Sequence, residues 1–123
     1  MAAADADVDD ALAEFQSQLN LIFARARSLW KESAARIHPE LQPAGYKLLA
    51  FVARMGSASA HQLVDSFEMD KSVVSRQVRM LEDVGLLVSR PDERDGRLRV
   101  LTATPEAVAA LARVRGDHAE RMR

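Results

Sequence analysis

The residues of this 123-residue chain whose types and spacing suit a chemical task are Ser72, Ser75, Arg76 and Arg79. They stand at i, i+3, i+4 and i+7, so on a helix they share one face. Lys71 sits just ahead of them. Hydroxyls and fixed positive charges on one stripe are hydrogen-bond donors rather than nucleophiles, and they suit phosphate oxygens and base edges. Alone, such a stripe is as readily a solvated helix face. A second cluster narrows the choice. The turn signal Asp92-Glu93-Arg94-Asp95-Gly96-Arg97 follows, with Arg94 at its tip and Gly96 available for a positive backbone dihedral. An arginine at a hairpin tip fits a narrow, electronegative minor groove, provided that Asp92 and Asp95 fold back onto Arg94 or Arg97 as braces. Without that role the cluster is an exposed set of ion pairs of little worth.

The elements that must position these groups follow from the apolar pattern. Ser59 caps a short helix with Leu63, Val64 and Phe67 facing inward, Glu68-Met69-Asp70 makes a tight turn, and Asp70 caps the helix bearing the stripe. On its other side lie Val74, Val78 and Leu81, and Gly85 stops it. Leu86–Arg90 and Leu98–Thr102 read as two strands joined by the charged turn. Before this unit, Pro43 opens a helix that is apolar over much of its circumference (Tyr46, Leu48, Leu49, Phe51, Val52, Met55) and that Gly56 closes. After it, Thr104-Pro105 starts a last helix patterned by Val108, Leu111, Ala112 and Val114, weakened at Gly116. The expected class is mainly α with a small β-hairpin, a helix-turn-helix with a wing between long terminal helices.

The first helix carries a different signal. Val8, Leu12, Phe15, Leu19, Ile22, Ala26 and Leu29 are spaced alternately by four and three residues until Ser33 interrupts, and Pro39 ends the element after Ile37. So long a seam exceeds what a small domain covers with its own helices, and a homodimer is the natural solution. The alternative is that the helix lies across its own core. Leu21, Phe23 and Trp30 widen the stripe enough for both uses. The tripled alanine at the start reads as a frayed terminus. These readings divide the chain into a dimerisation helix (1–40), a helix-turn-helix with hairpin (41–103) and the start of a further dimerisation helix (104–123).

Composition sets the outer limits. With 48% hydrophobic and 28% charged residues this is one ordinary folded domain. The net charge is −1, yet between Lys71 and Arg99 seven basic residues face five acidic ones, whereas the first twenty residues hold Asp5, Asp7, Asp9, Asp10 and Glu14 and no base. The acidic start should avoid phosphate. Absence of cysteine removes disulfides and thiol-based sensing. No glycine-rich phosphate loop is present, and His38, His61 and His118 lie too far apart in sequence for a metal motif, so neither an enzyme, a cofactor nor a metal site is expected. No secretory signal or membrane-length apolar run is seen, and a cytoplasmic location is the default expectation.

The tract Val78-Arg79-Met80-Leu81-Glu82-Asp83-Val84-Gly85-Leu86-Leu87, then Arg90-Pro91-Asp92-Glu93-Arg94-Asp95-Gly96-Arg97 and Val100-Leu101-Thr102, resembles the MarR family of winged-helix transcriptional regulators. The resemblance spans Leu41 to Thr104. It implies a homodimer with interlocked terminal helices that binds a pseudo-palindromic site on double-stranded DNA, most often as a repressor relieved by a small molecule. Carried over by position, Ser72, Ser75, Arg76 and Arg79 fall on the recognition helix and Arg94 on the wing tip, with Asp92 supporting it. Aromatic or anionic effectors are implied between the dimer helices and the winged domain, where Arg27, Trp30, His38 and Tyr46 are candidates; packing or solvated roles compete for each. Two departures stand out. The sequence ends at Arg123, short of the family's further C-terminal helix, which implies a shortened chain or a reduced dimer. Thr104-Pro105-Glu106-Ala107 replaces the glycine usual after the wing, and reads as a variant helix start. From another class, a winged-helix protein-interaction module or dimeric scaffold remains open at this point.

Overall fold

The computed structural model describes the backbone of residues 2–121 and the side chains of residues 5–116. Seven elements follow in order: α1 (Ala2–Ile37), α2 (Pro43–Met55), α3 (Ala60–Phe67), α4 (Lys71–Asp83), β1 (Leu87–Pro91), β2 (Arg99–Ala103) and α5 (Pro105–Arg121). Each predicted element is present. The strands are displaced one residue toward the C-terminus, and helix α1 begins at Ala2, so the tripled alanine is helical rather than frayed.

Helix α2 is the centre. Pro43 occupies its first turn, where no backbone donor is needed, and Gly56 ends it at φ 84°, a conformation that costs glycine little. Leu48, Leu49 and Val52 are fully buried and join Leu63 of α3, Val74 and Leu81 of α4, Leu87 and Leu101 of the hairpin and Leu111 of α5 in one core. Gly45 sits where α2 is tightly packed against Leu41 and against Gln77 of α4. A methyl group there would sit 2.7 Å from Leu41 Cδ1 and 2.8 Å from Gln77 Oε1.

Strands β1 and β2 pair antiparallel in the register Leu87↔Ala103 to Pro91↔Arg99. Alternation puts Leu87 and Leu101 into the core, with Arg90, Val100 and Thr102 on the opposite face. A further pairing has no sequence signal: Ala58 and Leu101 exchange backbone hydrogen bonds of 3.0 and 2.8 Å. One small residue between two serines shows no alternation to read. This bridge anchors the hairpin to the start of α3.

The long helix departs from the self-covered alternative. Only its last turns meet the domain, through half-buried Trp30 and Ile37 and buried Ser33 and Ala34. Val8, Leu12, Phe15, Leu19, Ile22 and Leu29 stay 36–60% exposed, and Leu21 and Phe23 are also exposed. The chain's own core leaves this seam uncovered.

Helix α5 corrects the sequence pattern. Its buried face is Ala107, Ala110, Leu111 and Val114, at i, i+3, i+4 and i+7, while Val108 and Ala112 point outward. Small alanines allow close approach, and the larger Val108 had masked that period. Gly116 does not interrupt the helix. Its start is a built cap: Thr104 Oγ1 accepts from Ala107 N at 3.2 Å and donates to the Gly85 carbonyl at 2.9 Å. The hydroxyl ties the end of the wing to the end of α4.

Candidate nucleic-acid interface

Helix α3 is held at its start by a reciprocal cap. Gln62 N donates to Ser59 Oγ at 3.1 Å and Ser59 N donates to Gln62 Oε1 at 2.8 Å. Its end passes through Glu68, which takes the left-handed conformation at φ 50°. That single residue turns the chain sharply into α4. Asp70 stands at the N-terminal position of α4 as expected, but its side chain makes no capping bond; its carbonyl instead accepts from Val73 N and Val74 N at 3.0 and 3.1 Å.

Buried Val74 and Leu81 and half-buried Val78 fix the inner face of α4. Gln77 Nε2 donates to Gln42 Oε1 at 3.2 Å, tying α4 to the start of α2. The opposite face presents Lys71, Ser72, Ser75, Arg76 and Arg79, all exposed. Among the described residues, the guanidinium groups of Arg76, Arg79 and Arg94 form no ion pair with a carboxylate.

The wing turn is built by its carboxylates. Asp92 Oδ1 accepts from Arg94 N at 2.7 Å and Asp95 N at 3.3 Å, while Asp95 Oδ1 accepts from Arg97 N at 3.1 Å and Arg97 Nε at 3.2 Å. Both aspartates therefore brace the turn, although Asp92 does so through the backbone and not through a guanidinium. Gly96 is not among the residues with positive φ, and the Asp92 and Asp95 side chains do the turning expected of it. Arg94 is left exposed at the tip, while Arg97 is engaged by Asp95.

Two wing arginines fall outside the sequence-predicted set. Arg90 shares a 430 Å³ depression with Asp92, Glu93, Arg94, Val100 and Thr102 on the outer face of the hairpin. Arg99 Nε donates to Ser89 Oγ at 3.0 Å near the turn end of the strands. Strand alternation could have placed Arg90 beside Arg94, since it needs only the pairing register.

The effector candidates separate. Trp30 and Tyr46 line a 540 Å³ cleft with Lys47, Ala50, Phe51, Arg54, Phe67 and Arg115. Arg27 and His38 do not line it. His38 Nδ1 instead accepts from Glu40 N at 3.1 Å in the loop after α1. Lys47 and Arg54 were missed although Lys47, Phe51 and Arg54 stand at i, i+4 and i+7 on α2, a mixed stripe hidden by reading the helix as apolar over much of its circumference. Among the described residues no three potential ligands cluster for a metal; His61 pairs with Asp65 at 3.2 Å, and His118 lies outside the described side chains. No described helix is long and apolar enough to cross a membrane.

Comparison with known proteins places this geometry. Residues 41–98 match the model of the MarR family. An uncharacterised HTH-type transcriptional regulator, YxaD of Bacillus subtilis, is 31% identical over 78 residues, covering 63% of this chain and 54% of its own length. The chain spans about half the length of the curated relatives it matches. Among solved structures, a MarR family transcription regulator superposes with a TM-score of 0.81 at 18% identity, over 97% of this chain and 78% of the other. A mutant MarR from E. coli crystallised with operator DNA superposes at 0.67 and 16% identity, over 82% of this chain and 71% of the other. These likenesses establish the winged-helix fold.

Proposed function

We propose that this chain, whose residues 41–98 match the MarR family model, is a sequence-specific regulator of transcription that binds double-stranded DNA as a homodimer. The observation that carries the reading is the pairing of two surfaces. Helix α4 offers exposed Ser72, Ser75, Arg76 and Arg79 with no ion pair among the described residues, and the Asp-braced wing holds Arg94 out beyond it. Helix α4 enters a major groove and Arg94 an adjacent minor groove. Lys71 and Arg97 sit at the rim as phosphate contacts.

The uncovered seam of α1 supplies the second half. A copy of the same chain covers it, with α5 continuing the interface, so that two α4 helices reach successive major grooves about 34 Å apart. The protein acts as a repressor in the cytoplasm, and a small effector in the cleft between α1, α2, α3 and α5 releases it. The E. coli relative's operator complex supports the DNA partner.

A gel-shift titration with DNA from upstream of the chain's own coding region tests the proposal. Wild type should bind tightly and Arg94→Ala about tenfold or more weakly, as expected when a charge-assisted contact is lost. Equal binding by both proteins would remove the wing from the interface. No binding by a folded wild type would favour the protein-interaction module instead.

A further inference from the structure

The wing turn contains a peptide bond that can rearrange by itself. Asp95-Gly96 is the only place in the chain where an aspartate or asparagine precedes a glycine. Such a pair reacts internally when the backbone nitrogen after the aspartate reaches its side-chain carboxyl, and glycine, having no Cβ, leaves that nitrogen unshielded. In most folded segments the nitrogen is already engaged in a hydrogen bond. Here the Gly96 N–H has no partner among the described residues, and Gly96 is exposed. Asp95 Oδ1 accepts from Arg97 N at 3.1 Å, so the carboxyl is folded forward over the Asp95–Gly96 peptide, on the side of its nitrogen. Arg97 Nε donates to the same oxygen at 3.2 Å. Asp65-Ser66, where a small residue also follows an aspartate, is arranged the opposite way. It lies in α3, whose hydrogen bonding engages the backbone N–H groups, and its carboxyl leans back to His61 Nε2 at 3.2 Å.

We infer that Asp95-Gly96 is a site of spontaneous backbone isomerisation in the folded chain. Gly96 N bonds to Asp95 Cγ of the protonated carboxyl, and the Cγ–Oδ2 bond breaks. Oδ2 departs as water with the carboxyl proton and the Gly96 N–H proton, leaving a five-membered imide. A water molecule then opens the ring. Addition at Cγ restores aspartate, whereas addition at the Asp95 main-chain carbonyl carbon breaks its bond to Gly96 N and routes the chain through Cβ and Cγ. The product has the same composition, one more carbon in its main chain and the α-carboxylate as a side group. It cannot keep the turn. The Asp95 carbonyl that accepts from Leu98 N at 3.0 Å becomes part of a free carboxylate, and Oδ1, which accepts from Arg97 N, becomes the oxygen of the new peptide. The wing thus loses Asp95 as one of its two carboxylate braces. A loss of DNA affinity on isomerisation rests on the reading above, but the isomerisation itself does not.

The full chain is held at neutral pH and body temperature for several weeks beside a synthetic peptide spanning residues 90–99, and then cleaved after glutamate. The fragment 94–106 should separate into two peaks of equal mass. The new peak should accept a methyl group from S-adenosylmethionine in the presence of a protein-isoaspartate methyltransferase. Its accumulation should be of the same order as in the free peptide, while the fragment 41–68, which holds Asp65-Ser66, stays a single peak. A Cβ at Gly96 meets nothing within 4 Å and its φ is not positive, so the turn accepts alanine there. Gly96→Ala should lose most of the accumulation. In gel shifts, aged wild type should lose DNA affinity in proportion to the new peak, whereas aged Gly96→Ala should keep the affinity of its own fresh sample.

A single 94–106 peak in the aged chain while the free peptide converts would show that the fold protects the bond, and would overturn the inference. Undiminished accumulation in Gly96→Ala would overturn it too. The comparison of chain with peptide uses wild type alone, so it decides the matter even if the variant fails to fold. Isomerised wild type with unchanged DNA affinity would instead count against the wing's part in DNA binding and leave the modification site standing.

Discussion

Two surfaces of this molecule are left uncovered by its own fold, and they are opposite in kind. The seam of α1 exposes Val8, Leu12, Phe15, Leu19 and Ile22, while the outer face of α4 and the wing exposes Arg76, Arg79 and Arg94. Water is a poor environment for the first and a good one for the second. An apolar row gains about 25 cal/mol for each Å² removed from water and is little affected by salt. A row of arginines gains by displacing counterions from phosphate, and that gain fades as salt rises. The contrast supports a different proposed partner for each surface: a second copy for the seam, a polyanion for the arginines.

The largest effect should come from breaking the seam. Replacing Leu12 and Phe15 by Glu puts two charges where an apolar contact is proposed, and self-association measured by sedimentation should weaken by two or more orders of magnitude, since burying unpaired charge costs several kcal/mol. DNA affinity should fall with it, because half of the contacts are lost. A double variant that remains as associated as wild type would leave the seam without a partner.

A smaller effect sharpens the electrostatic side. Replacing Arg79 by Ala should weaken DNA binding, and the slope of log affinity against log salt should become shallower by about one if Arg79 contacts a phosphate. If Arg79 reads a base instead, the slope should hold while discrimination at one base pair relaxes by about 1–3 kcal/mol. An unchanged affinity and an unchanged slope would exclude both roles. Neither measurement should alter the self-association carried by α1, which is the point of separating the two surfaces.

The mixed history of these surfaces in the sequence is instructive. The seam was legible because a period of alternating four and three residues is a property of local order, and its exposure confirms only that the domain does not cover it. The stripe on α4 was legible for the same reason. Asp92 and Asp95 were recognised as braces, but not which atoms they would hold, because a carboxylate on a turn can serve a guanidinium or a backbone N–H equally well. The Ala58 bridge, the alanine face of α5 and the grouping of Trp30 with Lys47 and Arg115 were not legible. Each depends on which distant elements pack together, and a single small or charged residue carries no period that would announce it.

Two stability changes test how the α4 surface is held. Ser59→Ala removes the reciprocal cap of α3 and should cost about 0.5–2 kcal/mol in chemical unfolding. A loss well below that range would show that Gln62 alone satisfies the helix start. Glu68→Gly should act in the other direction, since relieving a left-handed non-glycine residue offsets the added chain entropy, for a net gain of at most about 1 kcal/mol. A marked loss there would show that the turn between α3 and α4 is not strained.

The central claim, that α4 and the wing read DNA together, is tested most directly by footprinting the chain on DNA upstream of its own coding region. Wild type should protect guanine N7 atoms in two major-groove patches about one helical turn apart, with minor-groove protection flanking them that Arg94→Ala removes while the major-groove patches persist. Uniform protection, or minor-groove protection that survives in Arg94→Ala, would contradict it.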